Sequence, residues 1–415
     1  MFGKRLKIKS AFTKAILGIL LILLFFLRWQ FLSPSKLSDG QWVRVTASIT
    51  QEPTIFGRQQ SFQLGEIVVW TGRYPEYHYG ETVVVEGRLK MVPGKGLKRY
   101  FLSYPQITVI ATGETGGIKG IAFLLKEKLK AVFNRSLRQP LDGILVGIIL
   151  GDKSLISLDF WEKLKLTGTL HLMVASGMNI SFLSAITLPL LALFVRRRVA
   201  LLILIILIWF YSLLSGFQPP IIRASLMASL VYFGQLLGRE TEGKRLLLFA
   251  GLLMVFVRPF YLFDLGFQLS FLASAGLVFL QPRLQEQDFF LFHQEAFAST
   301  IAAQLMTLPL LVGYFGQLNL ISPLINLAVL WLIPGLLAGG ILAGLLGLFS
   351  LWLGRLILFL FLPALFYLEQ VINLSAKLTF FQLQLPKIGW GTTMIYYLLL
   401  AYYFRPKTRQ STINV

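Results

Sequence analysis

Cysteine is absent from this sequence, and histidine is scarce. Without cysteine the chain can form no disulfide, no thiolate nucleophile and no cysteine-ligated metal site. The three histidines, His78, His171 and His293, are dispersed along the chain without the spacing of metal ligands. A phosphate-binding glycine-rich motif ending in GK[ST] is also missing, so we expect that ATP does not drive this chain directly. We therefore expect no metal and no cofactor.

Apolar residues are in large excess. They make up 55% of the chain, and the mean hydropathy is +0.69, which is above the range of soluble domains. Charge-free runs such as 199–216 can cross a hydrocarbon core of about 30 Å as a helix. We predict a mainly α, polytopic helical membrane protein with about ten spans. The first is near 15–27, and the others are near 168–195, 199–215, 220–238, 246–262, 264–281, 297–315, 320–347, 351–373 and 386–404. The span 320–347 contains Pro334-Gly335 and Gly339-Gly340, so we expect it to be broken.

Acidic residues number only 19 against 39 lysines and arginines, which gives a net charge of +20. This excess fits the positive-inside rule, with "RRR" at 196–198 and "RPKTR" at 405–409 in the cytoplasm. An even number of spans then places both termini in the cytoplasm. Binding of nucleic acid is the alternative explanation of the same charge.

Residues 40–112 alternate apolar and polar positions, which predicts a small antiparallel sheet or β-barrel outside the membrane. About five short strands suit an OB-like barrel inserted after the first helix, although an SH3-like barrel would give a similar pattern. The basic segment 90–100, "KMVPGKGLKRY", is either a solvated loop or a loop that grips single-stranded nucleic acid. In the second case its contact residues are Lys90, Lys95, Lys98, Arg99 and Tyr100.

The chain divides into five predicted segments. A basic segment with the first helix (1–32) precedes the OB-like domain (33–118), which is followed by amphipathic and re-entrant helices (119–165), the polytopic domain (166–404) and a basic tail (405–415). Within 119–138, an apolar stripe that includes Ile121, Leu124 and Phe133 predicts a helix at the membrane surface or against other helices. The run 141–154 is too short to span, and we expect a re-entrant or interfacial helix.

Polar residues interrupt several predicted spans, and in hydrocarbon each needs a partner or a water-filled cavity. They either bond helices together or line a polar path. His171 and Ser176 could instead form an intramembrane hydrolase dyad. However, a five-residue separation on a regular helix is about 140° around the axis, and no orienting carboxylate is near. The candidates for the path are Asp152, His171, Ser176, Asn179, Arg223, Asp264, Gln268, Gln304 and Asn326.

These stretches also carry a family resemblance. "LGDKS" (150–154), "GTLHLMVASGMNI" (168–180), "PPIIRASLM" (219–227), "DLGFQLSFLASAGL" (264–277), "STIAAQLMTLPLL" (299–311) and "LISPLINL" (320–327) occur in this order. Together they resemble the competence domain of the ComEC family, whose members pass single-stranded DNA through the bacterial inner membrane during natural transformation. The resemblance extends from the first helix to about residue 375, and the sheet region looks like the family's N-terminal OB domain.

The resemblance implies a DNA channel without catalysis of its own, in which Arg223 pairs with passing phosphate or with Asp264. It also implies partners, namely a DNA receptor and a cytoplasmic helicase. Two departures are visible: Asn179 stands where the family usually has a histidine, and no HxHxDH nuclease cluster follows, so strand degradation would need a separate nuclease. A transporter of a smaller anionic solute remains the alternative. The sequence does not fix the oligomeric state.

Overall fold

The computed structural model describes residues 38–49, 53–56, 59–65, 67–93, 98–111, 117–173, 175–286, 295–378, 382–386 and 389–404. The predicted first span at 15–27, the basic tail from 405 and Lys95 lie outside these residues.

A curled seven-stranded sheet forms the N-terminal part of the described chain. Its strands follow the path β1-β5-β6-β4-β3-β2, with β7 paired to β5. All pairs are antiparallel except β4 with β6. No described pair joins β2 to β1 or β7, so closure into a barrel stays a prediction. The strands are β1 (Trp42–Ser48), β2 (Thr54–Phe56), β3 (Gln59–Leu64), β4 (Ile67–Gly72), β5 (Thr82–Pro93), β6 (Lys98–Ser103) and β7 (Gln106–Ala111).

Alternating side chains form the core of this sheet, as the period of two predicts. Val43, Val69, Leu89 and Leu102 point inward and are buried, while their neighbours along each strand face outward. Tyr100 is also in this core and only 2% exposed.

Helices make up most of the remaining described chain. They are α1 (Gly117–Ser136), α2 (Leu141–Leu150), α3 (Leu158–Thr167), α4 (Gly177–Phe194), α5 (Arg197–Leu214), α6 (Pro219–Leu236), α7 (Gly243–Val257), α8 (Leu265–Gln285), α9 (Glu295–Phe315), α10 (Ser322–Leu330), α11 (Ile333–Phe349), α12 (Leu351–Ala376) and α13 (Trp390–Tyr403). A π-helical turn, Gly276–Leu280, interrupts α8. Two short strands, β8 (Gln317–Asn319) and β9 (Gln382–Gln384), pair antiparallel.

Five of the described helices are long and apolar enough to span a membrane, and a sixth span arises if α10 and α11 count as one. These two helices meet at a bend of 46°, which confirms the predicted break in 320–347. The chain is a multi-pass membrane protein. The predicted count of about ten is not established, because α7 and α13 have only 15 and 14 residues.

The largest apolar core surrounds α2. All ten residues of this helix are buried, and α1, α11 and α12 pack around it. The interfacial alternative for 141–154 is therefore wrong, because an interfacial helix would expose one polar face. Glycines of α11 allow the close approach; at Gly340 a side-chain carbon would overlap Ile149 of α2.

Helix α1 differs in part from its predicted apolar stripe. Phe133 is buried in the core, but Ile121 and Leu124 are 61% and 47% exposed. Lys126 is buried as well. Its charge is compensated by Asp152, a long-range contact that helical periodicity does not reveal.

Candidate functional site

The beginning of helix α4 is the centre of the candidate site. Ser176 occupies the N-cap position with an extended backbone, but its hydroxyl does not cap the helix. The hydroxyl instead donates to the Asn179 Oδ1 at 3.5 Å. The first-turn N–H groups of an 18-residue helix provide a positive partial charge at this end.

The guanidinium of Arg223 lies beside this helix end. Two prolines at the first positions of α6 start that helix, and Arg223 follows in its first turns. A side-chain carbon at Gly177 would lie 3.0 Å from the Arg223 Nη2, so glycine is what allows the two helices to approach. Arg223 therefore faces the positive end of α4.

Helix α8 contributes the other contacts of Arg223. The Nη1 donates to the Ser274 hydroxyl, and the guanidinium carbon lies 5.9 Å from the centre of the Phe271 ring. The Nε is buried without a hydrogen-bond partner among the described residues. Within the described residues, no carboxylate lies within ion-pair distance of Arg223. A desolvated guanidinium without a counter-ion binds anions readily, above all planar or tetrahedral oxyanions.

Asn179 makes no described hydrogen bond to Arg223, and its amide instead binds the C-terminal end of α2. Its Nδ2 donates to the Ile148 carbonyl at 2.8 Å and to the Tyr211 hydroxyl at 2.9 Å. The Tyr211 hydroxyl in turn donates to the Ile149 carbonyl at 2.7 Å. These carbonyls have no partner within their own helix, so two side chains of α4 and α5 satisfy them. Asn179 is a positioning residue that fixes α2 against α4.

Asp152 belongs to a buried cluster of charges just after α2. Its Oδ2 lies 3.2 Å from the Lys126 Nζ and 3.1 Å from the Lys130 Nζ, and its Oδ1 accepts from the Ser154 N–H at 2.8 Å. Burial alone would raise the pKa of Asp152, but both lysines and the Ser154 N–H outweigh it and hold the pKa well below its usual range. Asp152 thus joins the loop after α2 to α1.

Asp264 and Gln268 make local contacts at the start of α8. Asp264 caps the helix by accepting from the Phe267 N–H at 2.8 Å, and Gln268 donates to the Leu262 carbonyl at 2.6 Å. The expected pairing of Arg223 with Asp264 is absent among the described contacts. The same helix nevertheless brings Phe271 and Ser274 to Arg223.

The remaining candidates are dispersed. The Nδ1 of His171 lies 3.1 Å from the Gly168 carbonyl, and no described bond joins this exposed histidine to Ser176. Gln304 is half-buried in α9, and the Oδ1 of Asn326 in α10 is buried without a described partner.

The structure differs in part from the predicted DNA-contacting loop at 90–100. Lys90 is exposed on β5, but the buried Tyr100 packs inside the sheet and cannot stack on a base. Only the backbones of Lys98 and Arg99 are described, in β6.

Comparison with known proteins decides the family. The competence protein family model matches residues 148–410, which is more than half of the chain. The chain belongs to the ComEC competence family. ComE operon protein 3 of Bacillus subtilis is 26% identical over 249 residues, which are 59% of this chain and 32% of that protein. The chain therefore matches about a third of its relative's length, and no solved structure matches it.

The residues matched by the competence family model include Arg223 and the residues described around it. Ser176, Arg223 and Ser274 lie within the matched residues, and so does every other predicted path residue. The seven-stranded sheet lies before the match, so the family model carries no information about it.

Sequence reasoning missed Tyr211, Ser274, Lys126 and Lys130. Ser274 had a signal, because it lies one helical turn beyond Phe271 on α8.

Proposed function

We propose that this ComEC-family protein passes single-stranded DNA through the bacterial inner membrane into the cytoplasm during natural transformation. The observation that carries the proposal is Arg223, a largely buried guanidinium with no described carboxylate, placed against the start of α4. A DNA strand presents one phosphate per nucleotide, and its passage requires polar, partly cationic contacts in an apolar surrounding.

The site suits a moving anion better than a fixed counter-ion. Arg223 is held by a hydroxyl and an aromatic ring, so its charge stays available to a phosphate. The α4 N–H groups add a second, weaker attraction. Neither contact reads a base, so a strand of any sequence could pass.

The wider arrangement follows from the same proposal. Both termini lie in the cytoplasm, and the sheet domain lies outside and receives the strand. The protein acts as a channel and not as an enzyme, with a competence DNA receptor outside and a helicase inside as partners. A separate nuclease would degrade the other strand.

An uptake assay tests the proposal. Cells carrying the wild-type gene, a deletion or Arg223→Ala receive labelled DNA, and nuclease treatment separates DNA outside the inner membrane from imported DNA. We expect the deletion to hold DNA outside and import none. Arg223→Ala should lower import about 10-fold or more, because a hydrogen bond to a charged group is lost. Arg245→Ala, an exposed arginine paired with Glu242, is the matched control and should import normally.

Unchanged import in a deletion strain without a second homologue would contradict the proposal. The Arg223 site would then favour a transporter of a smaller anionic solute, since its contacts do not depend on a polymer.

A further inference from the structure

The outer face of the sheet carries exposed aromatic rings between basic and polar side chains. We propose that this face, formed by Trp42, Trp70, Phe101, Arg88 and Lys90, binds single-stranded DNA by base stacking; this rests on the proposed function. We call it the aromatic face. It replaces the predicted loop as the principal DNA contact and retains only Lys90 of that loop.

Strand registers bring these residues together on one side. Trp42 is opposite Arg88, and Phe101 is opposite Lys90. Trp70 lies on β4 next to Phe101, because Val68 pairs with Phe101 and Trp70 pairs with Ser103. Side chains two positions apart share a face, and diagonal neighbours across strands are within reach of aromatic rings. The inward neighbours of these residues, such as Val69 and Leu102, form the buried core.

The rings are accessible. Trp42 is 61% exposed and Trp70 is 38% exposed. Tyr104, 63% exposed, extends the row: its N–H donates to the Trp70 carbonyl at 2.7 Å, and its hydroxyl accepts from the Gln59 Nε2 at 2.6 Å. Its backbone has a φ of 50°, which is uncommon for an aromatic residue and holds the ring at the edge of the face.

The charges of the face are available to phosphate. Arg44 nearby is paired with Glu86 at 3.0 Å, whereas no carboxylate lies within ion-pair distance of Arg88 or Lys90 in the described chain. The carboxylate of Asp39 accepts from the Met91 backbone N–H at 2.7 Å. Aromatic platforms flanked by unpaired cations are the general solution for single strands, because every base has a face to stack.

Alternation distinguishes this surface from one that enters lipid. Each ring has a polar or basic cross-strand neighbour: Arg88 beside Trp42, Ser61 and Ser103 beside Trp70, and Lys90 beside Phe101. A lipid-facing surface would be continuously apolar outside a narrow interfacial band. The alternation of rings and cations matches the alternation of bases and phosphates in a strand.

Binding by the full-length protein in detergent tests the inference. The probe is a fluorescein-labelled oligothymidine of about 20 nucleotides, followed by anisotropy, with duplex of equal length as competitor. We expect the Trp42→Ala/Trp70→Ala variant to bind about 10-fold or more weakly, and Trp70→Phe to retain stacking. Arg88→Gln/Lys90→Gln should lower the slope of log affinity against log salt by about 1.4, because each phosphate contact contributes about 0.7. Ile110→Ala and Lys119→Gln, both exposed, are the controls and should bind like the wild type.

Three results would overturn the inference: unchanged binding by the tryptophan variant, no binding by the wild type, or equal competition by duplex. A fourth is insertion into lipid, seen if brominated lipid quenches the wild type but quenches Trp42→Phe/Trp70→Phe much less. Failure of the proposed function is separable, because import is measured in cells, whereas binding to the aromatic face is measured on the purified protein. A deletion strain with normal import would contradict translocation and leave the binding face intact.

Discussion

Asp152 illustrates how partners decide the role of a single residue. By sequence it is one of several polar candidates for a path, yet its carboxylate is only 10% exposed and contacts two lysines of α1. A carboxylate bound in this way stabilises the fold and is poorly available to a solute. Arg223 is the opposite case, since its described contacts leave its charge uncompensated.

Replacement of Asp152 by asparagine should destabilise the protein strongly. It removes the carboxylate that both poorly hydrated lysines contact, and Lys130 keeps its ion pair with Glu127 at 2.8 Å. The cost should be about 3 kcal/mol, the lower end of the range for breaking a buried pair. Since the folded-state pKa of Asp152 is lowered, its stabilising contribution is present at neutral pH and declines as the pH falls below the unfolded-state value of about 3.9. Thermal unfolding in detergent should show a large difference from the wild type at pH 7 and a smaller one near pH 3.

Asp159→Asn is the matched control for this prediction. Asp159 pairs with Lys163 at 2.6 Å, but its side chain is 76% exposed, so the loss should not exceed about 0.5 kcal/mol. Equal effects of the two substitutions would contradict the role of Asp152.

Helix α2 shows what sequence predicts for an element and what it does not. The apolar run and its glycine end predict a short helix, and Gly151 ends it with a φ of 67°. Its complete burial was not predictable, because it depends on α1, α11 and α12, which are distant in sequence. For the same reason the capping of its carbonyls by Asn179 and Tyr211 has no local signal.

Loss of the hydrogen bonds that cap α2 should lower the stability of the protein. Asn179→Ala leaves the Ile148 carbonyl without its described side-chain donor in a buried place, which costs about 1–3 kcal/mol. Asn179→His retains a donor and should cost less. The melting temperature in detergent measures both. Ser181→Ala, in the same helix but exposed, is the control and should be nearly neutral; a similar loss in Ser181→Ala would contradict the assignment.

For the whole molecule, hydropathy and alternation predict the class well. A membrane-embedded helical part and a sheet part are both present. The roles of the site residues are harder to predict from sequence. Polar residues in apolar runs include cap-forming groups such as Asn179, and the contacts of Arg223 join residues that are distant in sequence. The aromatic face depends on strand register, which sequence alone does not define.

The absence of cysteine makes the proposed orientation directly measurable. A single cysteine at Lys90 on the sheet should react with a membrane-impermeant maleimide in intact spheroplasts, since we place the sheet outside. A cysteine at Arg197, which begins α5 and is exposed, should react only after permeabilisation. The reverse pattern would contradict the orientation.

Photo-crosslinking of DNA in transit tests the central claim most directly. Phe271, beside Arg223, is replaced by the photoreactive analogue benzoylphenylalanine, and cells taking up labelled DNA are irradiated. Phe249, 52% exposed on α7, is the matched control position. We predict a DNA adduct at position 271 that is absent at 249 and lost with Arg223→Ala. Import that proceeds without an adduct at position 271 would contradict a strand passing this site.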